Sequence, residues 1–411
     1  MRHPSRRVSS IRIGCVGTEY GGIIMVDHED VDITIGDELL EVRHHLHAHP
    51  ELGFRERDTS AYLTRWLSEH GVEILDNPVS SGVLALIHGA HPGPHIALRA
   101  DIDALPITEQ TGQADSSRND GVMHGCGHDI HMTGLLAAAQ WLAGHRDAVH
   151  GDITLVFQPS EETGEGAQAL VDAGVLDGID AIIGTHNNPD YEPGQIAVGV
   201  EPMMAGCVKF SVTLHAQGTH AGYPDRGTGP LEALASMILA TQTIVSRNET
   251  PFHPLVVSVT AVRGGDVWNV IPAEAGFMGT VRYFYPEDGA MAERRFREIV
   301  AGTASSYGIT ADVDWNDFAI PLVSDAALVK AVMQDVPGYA TLAAIRPSMA
   351  GEDFCEYASR TRLLFAFIGS NGRPGYHGLH SPRFVALDDA IAPTARFYAH
   401  AALRVLDELG R

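Results

Sequence analysis

The sequence predicts an α/β protein with a mainly parallel sheet, interrupted by an inserted α+β unit. Three observations carry this expectation. Apolar strand-like runs alternate with helical runs before about residue 201 and again after about residue 317, the pattern of a sheet covered by helices. Between residues 202 and 316 the order becomes β-α-β-β-α-β, that of a ferredoxin-like unit. Three of the expected strands end in polar residues able to bind metal, and an α/β sheet places its ligands at such ends.

Taken in order, Asp37 to His49 reads as a helix with Leu39, Leu40, Val42 and Leu46 on one side. A second helix runs from about Thr59 to His70, with Asp58 or Thr59 as its cap and Gly71 as its stop. Val83 to Ile87 and His95 to Leu98 suit buried strands, the latter ending in Arg99-Ala100-Asp101-Ile102-Asp103. An apolar helix covers Met132 to Leu142. Asp152 to Phe157 is a strand ending in Gln158-Pro159-Ser160-Glu161-Glu162, Ala167 to Ala173 is helical, and Asp180 to Gly184 is a strand ending at Thr185-His186. The inserted unit comprises strands Cys207–His215, Leu255–Val262, Ala275–Tyr285 and Ile309–Trp315, with helices Leu231–Ser246 and Glu287–Tyr307. Leu363 to Ile368 returns as a strand, and a helix from about Asp388 to Leu409 closes the chain.

A chain of 411 residues exceeds one ordinary core and suggests more than one domain. The expected division is an extension at 1–24, a first catalytic segment at 25–201, a lid at 202–316 and a second catalytic segment at 317–411. The extension is basic, then glycine-rich, lacks the apolar core of a secretory signal, and is expected to be disordered, with Met25 as an alternative start. A hydrophobic content of 45% describes a soluble globular protein, with a mean hydropathy of −0.02. No run reaches the roughly 18 apolar residues of a membrane span. A net charge of −24 argues against nucleic acid or an anionic membrane as partner. Cys15, Cys126, Cys207 and Cys355 are far apart and follow no disulfide framework, which suits a reducing cytoplasm.

The segment His124-Gly125-Cys126-Gly127-His128-Asp129 places a thiol and an imidazole two residues apart, with glycines around the cysteine. Those donors suit zinc or another first-row metal, and glycine lets the backbone turn sharply near an ion. Glu161 and Glu162 close a strand. In an extended segment they point to opposite sides, so one can bind metal while the other faces a substrate. His186 follows the apolar run Ala181-Ile182-Ile183, and His380 lies in Gly378-Leu379-His380-Ser381-Pro382. Residue by residue the alternatives stay open: a buried thiol beside a capping histidine, a solvated Glu-Glu loop, core histidines. His124, His131 and His377 are further candidates, and Asp129 could orient His128 or neighbouring groups from behind.

Six ordered segments narrow this: Leu98–Pro106, Met123–Asp129, Phe157–Glu162, Asn269–Pro272, Met349–Phe354 and Leu379–Pro382. Together they resemble the peptidase M20 family, in its amidohydrolase branch of hippurate hydrolases, N-acyl-amino-acid amidohydrolases and plant auxin-conjugate hydrolases. The resemblance implies a two-metal exopeptidase-like catalytic domain with a ferredoxin-like lid that dimerises. It implies hydrolysis of small N-acyl amino acids, with dipeptidase or aminopeptidase action, or metal-bound binding without catalysis, as the alternatives. Carried over by motif, Cys126 bridges two divalent ions, Mn²⁺ or Zn²⁺ with Co²⁺ or Ni²⁺ also compatible. His128, Glu162, His186 and His380 complete the ligands, and Glu161 is the general base. His220 is a lid histidine reaching a catalytic site, Asn269 lies near substrate, and Arg282 holds its carboxylate. Pro224-Asp225 and Gly229-Pro230 depart from the family pattern in the lid.

Overall fold

The computed structural model describes residues 31–411. The expected extension at 1–24, Met25 and Cys15 lie outside the described residues. Helices α1 (Asp37–Ala48) and α2 (Arg57–Glu69) precede strands β1 (Glu73–Leu75), β2 (Val83–His88) and β3 (His91–Asp101). There follow α3 (His128–Gly144), β4 (His150–Gln158), α4 (Gly166–Asp172), β5 (Ala181–Asn188) and β6 (Gln195–Val198). The inserted unit contains β7 (Gly206–His215), β8 (Thr219–His220), α5 (Leu231–Thr241), β9 (Leu255–Gly264), β10 (Val270–Ile271), β11 (Glu274–Tyr283), α6 (Pro286–Ser306) and β12 (Thr310–Ala319). The chain closes with α7 (Ala326–Met333), α8 (Val336–Tyr339), β13 (Thr341–Leu342), β14 (Arg362–Gly369) and α9 (Ile391–Leu409).

The large sheet has the order β1-β2-β4-β3-β5-β14-β6-β13. It is mainly parallel, with antiparallel pairs toward the flanks: β4, β3, β5 and β14 run parallel at the centre and β13 joins β6 parallel, while β2 joins β4 antiparallel and β6 joins β14 antiparallel. Short runs such as β1 and β6 carry no direction in their pattern, so the sequence could not reveal this. The central strands are apolar on both sides because successive side chains enter different layers. Ile153, Leu155 and Phe157 of β4 join a core with side chains of α3 and α9. Val156 joins the opposite core with Leu170 of α4 and Phe354. Since β3, β4 and β5 are parallel, their C-terminal ends share one rim, as expected.

The inserted unit is a four-stranded antiparallel sheet of order β12-β7-β11-β9. Numbered within the unit this is 4-1-3-2, the ferredoxin-like arrangement. Val208, Phe210, Val212 and Leu214 alternate along β7 into a separate core beneath α5 and α6, with Met237 and Phe296. Local boundaries differ from expectation in several places; β5, for one, runs on to Asn188 and takes in Thr185 and His186. The expected helix from Leu231 ends at Thr241, and a π-helical turn at Ile244–Asn248 continues it. The second helix has Glu56 at its N-cap position rather than Asp58 or Thr59; the carboxylate of Glu51 meets its first N–H groups, at 2.8 Å to Thr59.

Candidate metal and active site

The rim collects the sequence-predicted donors. Cys126 and His128 sit where a loop enters α3, and Gly127 between them takes the left-handed φ of +83°. A Cβ there would meet Asn187 Nδ2 at 2.4 Å. The same amide group donates to the Cys126 carbonyl, so glycine and asparagine together fix the thiol-bearing turn. His186 lies in β5. His380 arrives from the far end of the chain, and its backbone N–H donates to the Gly125 carbonyl at 2.8 Å. This main-chain bond closes the loop pair around the thiol. His380 and Ser160, the residue before Glu161, both take positive φ without being glycine, at 62° and 59°. Such backbone strain persists where the surroundings over-determine it, often at functional sites.

The two buried histidines are oriented from behind. His128 donates Nδ1–H to the Asp103 carbonyl at 2.8 Å, and His186 donates Nδ1–H to the Asn187 carbonyl at 2.6 Å. Each therefore turns its Nε2 toward the rim, the atom a metal-binding histidine held at Nδ1 offers. His186 Nε2 is 3.3 Å from Cys126 Sγ. Glu162 lies between the remaining donors, with one oxygen 3.9 Å from His128 Nε2 and the other 3.5 Å from His380 Nε2. His128, Glu161 and Glu162 form one donor group; two more are Cys126–His128–His186 and Cys126–Glu162–His380, each with its ligand atoms within 4.8 Å of one another. The latter two share Cys126.

This donor set fits divalent metal. His128 Nε2 and Glu162 Oε1 are buried without a hydrogen-bond partner, a costly state for polar atoms. Nitrogen, sulfur and carboxylate donors match first-row ions. Burial and the nearby Glu162 and Glu161 carboxylates push the Cys126 thiol well above its usual range; a cation would reverse that preference.

Glu161 and Glu162 occupy a turn rather than an extended segment. The turn brings both to one cavity of about 740 Å³, with His186, His380 and Arg282. Glu161 is buried, and its carboxylate forms no hydrogen bond among the described residues. Burial, then the charge of Glu352, raises its proton affinity. Glu162 is pushed up to about 7, mainly by burial.

Behind the rim, the fully buried Arg99 donates to Gln158 at 2.7 Å, Asp101 at 2.9 Å, Glu352 at 3.0 Å and Asp353 at 3.1 Å. Sequence reasoning assigns Arg99 no role; an arginine closing an apolar strand is the available signal. His131 donates to Asp101 at 2.5 Å and accepts from the Asn187 N–H at 2.8 Å, which fills both nitrogens with structural bonds. His124 is buried outside the donor groups, and burial lowers its pKa to about 4. His377 is exposed. Asp129 does not orient His128. It meets His47 at 2.9 Å and Arg43 at 3.1 Å.

His220 and Asn269 do not line this cavity. His220 is exposed on the lid, on the short ribbon of β8 and β10, and the Asn269 carbonyl accepts from the Ala221 N–H at 3.1 Å.

A mixed α/β catalytic sheet, a ferredoxin-like insertion and a cysteine-centred donor set on the strand rim define a metal-binding hydrolase with a lid. The chain belongs to peptidase family M20/M25/M40, which it matches over residues 97–404. It is 40% identical over 376 residues to an N-acetyl-L-cysteine deacetylase of Bacillus subtilis (strain 168), covering 91% of this chain and 89% of that protein. It is 34% identical over 382 residues to the IAA-amino acid hydrolase ILR1-like 4 of Arabidopsis thaliana, covering 91% and 87%. Among solved structures it resembles a Bacillus subtilis dinuclear metal binding peptidase from the M20 family, with a TM-score of 0.81, 35% identity and coverage of 90% and 98%.

Proposed function

We propose that the chain is a metal-dependent amidohydrolase that cleaves N-acyl amino acids to a carboxylic acid and a free amino acid. The observation that carries this reading is Glu161, a buried carboxylate without a hydrogen-bond partner, beside the Cys126-centred donor groups. The activities named for the deacetylase and the IAA-amino acid hydrolase support the substrate class.

In this reading Cys126 would be held in common by two divalent ions. His128 and His186 complete one site, Glu162 and His380 the other. Mn²⁺, Zn²⁺, Co²⁺ and Ni²⁺ all suit these donors. Ions held there would supply Lewis acidity to the scissile carbonyl and to a water. Glu161 takes the proton of the attacking water and delivers it to the leaving nitrogen, which departs as the free amine. Arg282 holds the α-carboxylate; its Nε donates to Thr280 at 3.1 Å, which steadies the guanidinium.

The division into catalytic segments at 25–201 and 317–411 and a lid at 202–316 belongs to the same reading. So does a homodimer formed through the lid, in which His220 completes the partner's site and stabilises the oxyanion, and Asn269 lies near the substrate. Its support is the lid's exposed apolar surface: Trp268 is 93%, Phe252 88% and Leu239 73% exposed. No helix among the described residues is long and apolar enough to cross a membrane. A cytoplasmic setting agrees with the free thiols of Cys126, Cys207 and Cys355.

The test is turnover of an N-acetyl or N-benzoyl amino acid beside an unblocked dipeptide, with metal content measured on the same sample. Cleavage of the blocked substrate is expected. Preferential cleavage of the dipeptide would make the protein a dipeptidase or aminopeptidase. Bound metal without turnover of either would make it a binding protein.

A further inference from the structure

Two arginines line the cavity, Arg282 and Arg346. Arg43, Arg99, Arg362 and Arg404 each meet a carboxylate, but neither cavity arginine forms an ion pair among the described residues. One α-carboxylate engages one of them. The other leaves an uncompensated positive charge at the cavity wall.

Arg346 is seated for such a role. Its backbone N–H donates to the Tyr191 hydroxyl at 2.9 Å, and its guanidinium carbon lies 5.5 Å from the centre of the Tyr191 ring. Tyr191 is itself buried, and its hydroxyl donates to the Ala344 carbonyl at 2.9 Å. Just beyond, the Ser348 N–H donates to the Met203 carbonyl at 2.9 Å, and the Ser348 carbonyl accepts from Ala205 at 3.0 Å. The loop is therefore pinned on both sides of Arg346. A guanidinium resting on an aromatic ring still presents a planar donor edge that matches a carboxylate. Asp190 lines the same cavity and accepts from the Tyr376 hydroxyl, but it forms no ion pair with Arg346. The cavity, at about 740 Å³, exceeds what a small N-acetyl amino acid fills.

We infer that Arg346 forms an anion subsite and that the preferred substrates carry a second carboxylate besides the one on Arg282. This rests on the amidohydrolase reading above. The second carboxylate belongs either to the amino-acid side chain or to a dicarboxylic acyl group; both offer the same planar anion.

Paired substrates separate these sources. One arm compares N-acetylglutamate with N-acetylglutamine, the other N-succinyl-leucine with its terminal amide. The wild type should favour the acid over its neutral amide by about tenfold in kcat/KM in at least one arm, the scale of one charge-assisted hydrogen bond. R346Q should bring that ratio near one, and R346K should restore part of it. Ratios near one in both arms of the wild type would overturn the inference. So would an R346Q variant that slows acid and amide alike and leaves the ratio intact. Calorimetric binding of the same ligands to E161Q, with and without R346Q, reads the subsite without turnover. If the acid is preferred there through Arg346 while no blocked substrate is hydrolysed by the wild type, the subsite stands and the amidohydrolase reading falls.

Discussion

Cys126 Sγ stands 3.3 Å from His186 Nε2, while the same sulfur also belongs to the group with Glu162 and His380. A single thiol thus sits in both donor groups. Cys126→Ala should lower metal content at both sites and abolish turnover. In the metal-loaded wild type the thiol should resist alkylation; after chelation it should react, and the modified protein should not regain activity with added metal. Full metal occupancy in Cys126→Ala would remove the bridging role.

Glu161 and Glu162 should separate by assay. Glu161→Gln is expected to lower kcat by about a thousandfold, within the range for lost general acid-base catalysis, with metal content near wild type. Glu162→Gln should lose metal from one site. Elemental analysis beside turnover checks both, and near-normal activity in metal-loaded Glu161→Gln would exclude it as the base.

Mixing tests the lid histidine. Glu161→Gln subunits and His220→Ala subunits, each inactive alone, should regain some activity once exchanged, because a mixed dimer holds one site with both residues intact. Tagged-subunit capture confirms exchange. Exchanged dimers that remain at background would rule out completion between subunits.

Arg99 should be needed for stability before chemistry. It is the buried cation shared by Asp101, Glu352 and Asp353. Removing one partner of a buried ion network commonly costs about 3–5 kcal/mol. Arg99→Met should show a loss of that order in denaturant unfolding, and an unfolding midpoint equal to wild type would contradict this account.

His47 gives a pH signature away from the donors. Burial opposes its charge, but the Asp129 carboxylate outweighs burial and raises its pKa to about 9. A raised histidine stabilises the fold fully below the unfolded value of about 6.5, and the gain is lost as pH rises through the folded value. Stability of the wild type should therefore decline between pH 6.5 and 9. The decline should be shallower in His47→Gln when both are unfolded in denaturant across that range.

The parts of this architecture legible in the sequence are those with strong periodicity. The apolar runs of β3, β4 and β5, the long helices, and the β-α-β-β-α-β order all read directly. Strand direction at the sheet flanks does not, because β1, β6 and β13 are too short to carry a pattern and pair only through tertiary contacts. At the site, Cys126, His128, Glu162, His186 and His380 are visible as motifs, and they converge. The turn at Glu161–Glu162 is not, since an apolar strand gives no sign of where its backbone reverses. Arg346 is also silent: a lone arginine before a proline has no spacing that links it to a cavity built from other segments.

The position of β14 bears on how the chain is made. It fills the sheet between β5 and β6, two strands that leave the ribosome before the whole lid, whereas β14 emerges after it. Until then the nascent chain holds β5 with an open edge, apolar at Ala181, Ile182 and Ile183. Unpaired apolar edges invite association with other chains. Translation past the lid is therefore the interval in which this edge stays open, and a truncated product ending before residue 362 should be recovered mainly in aggregates.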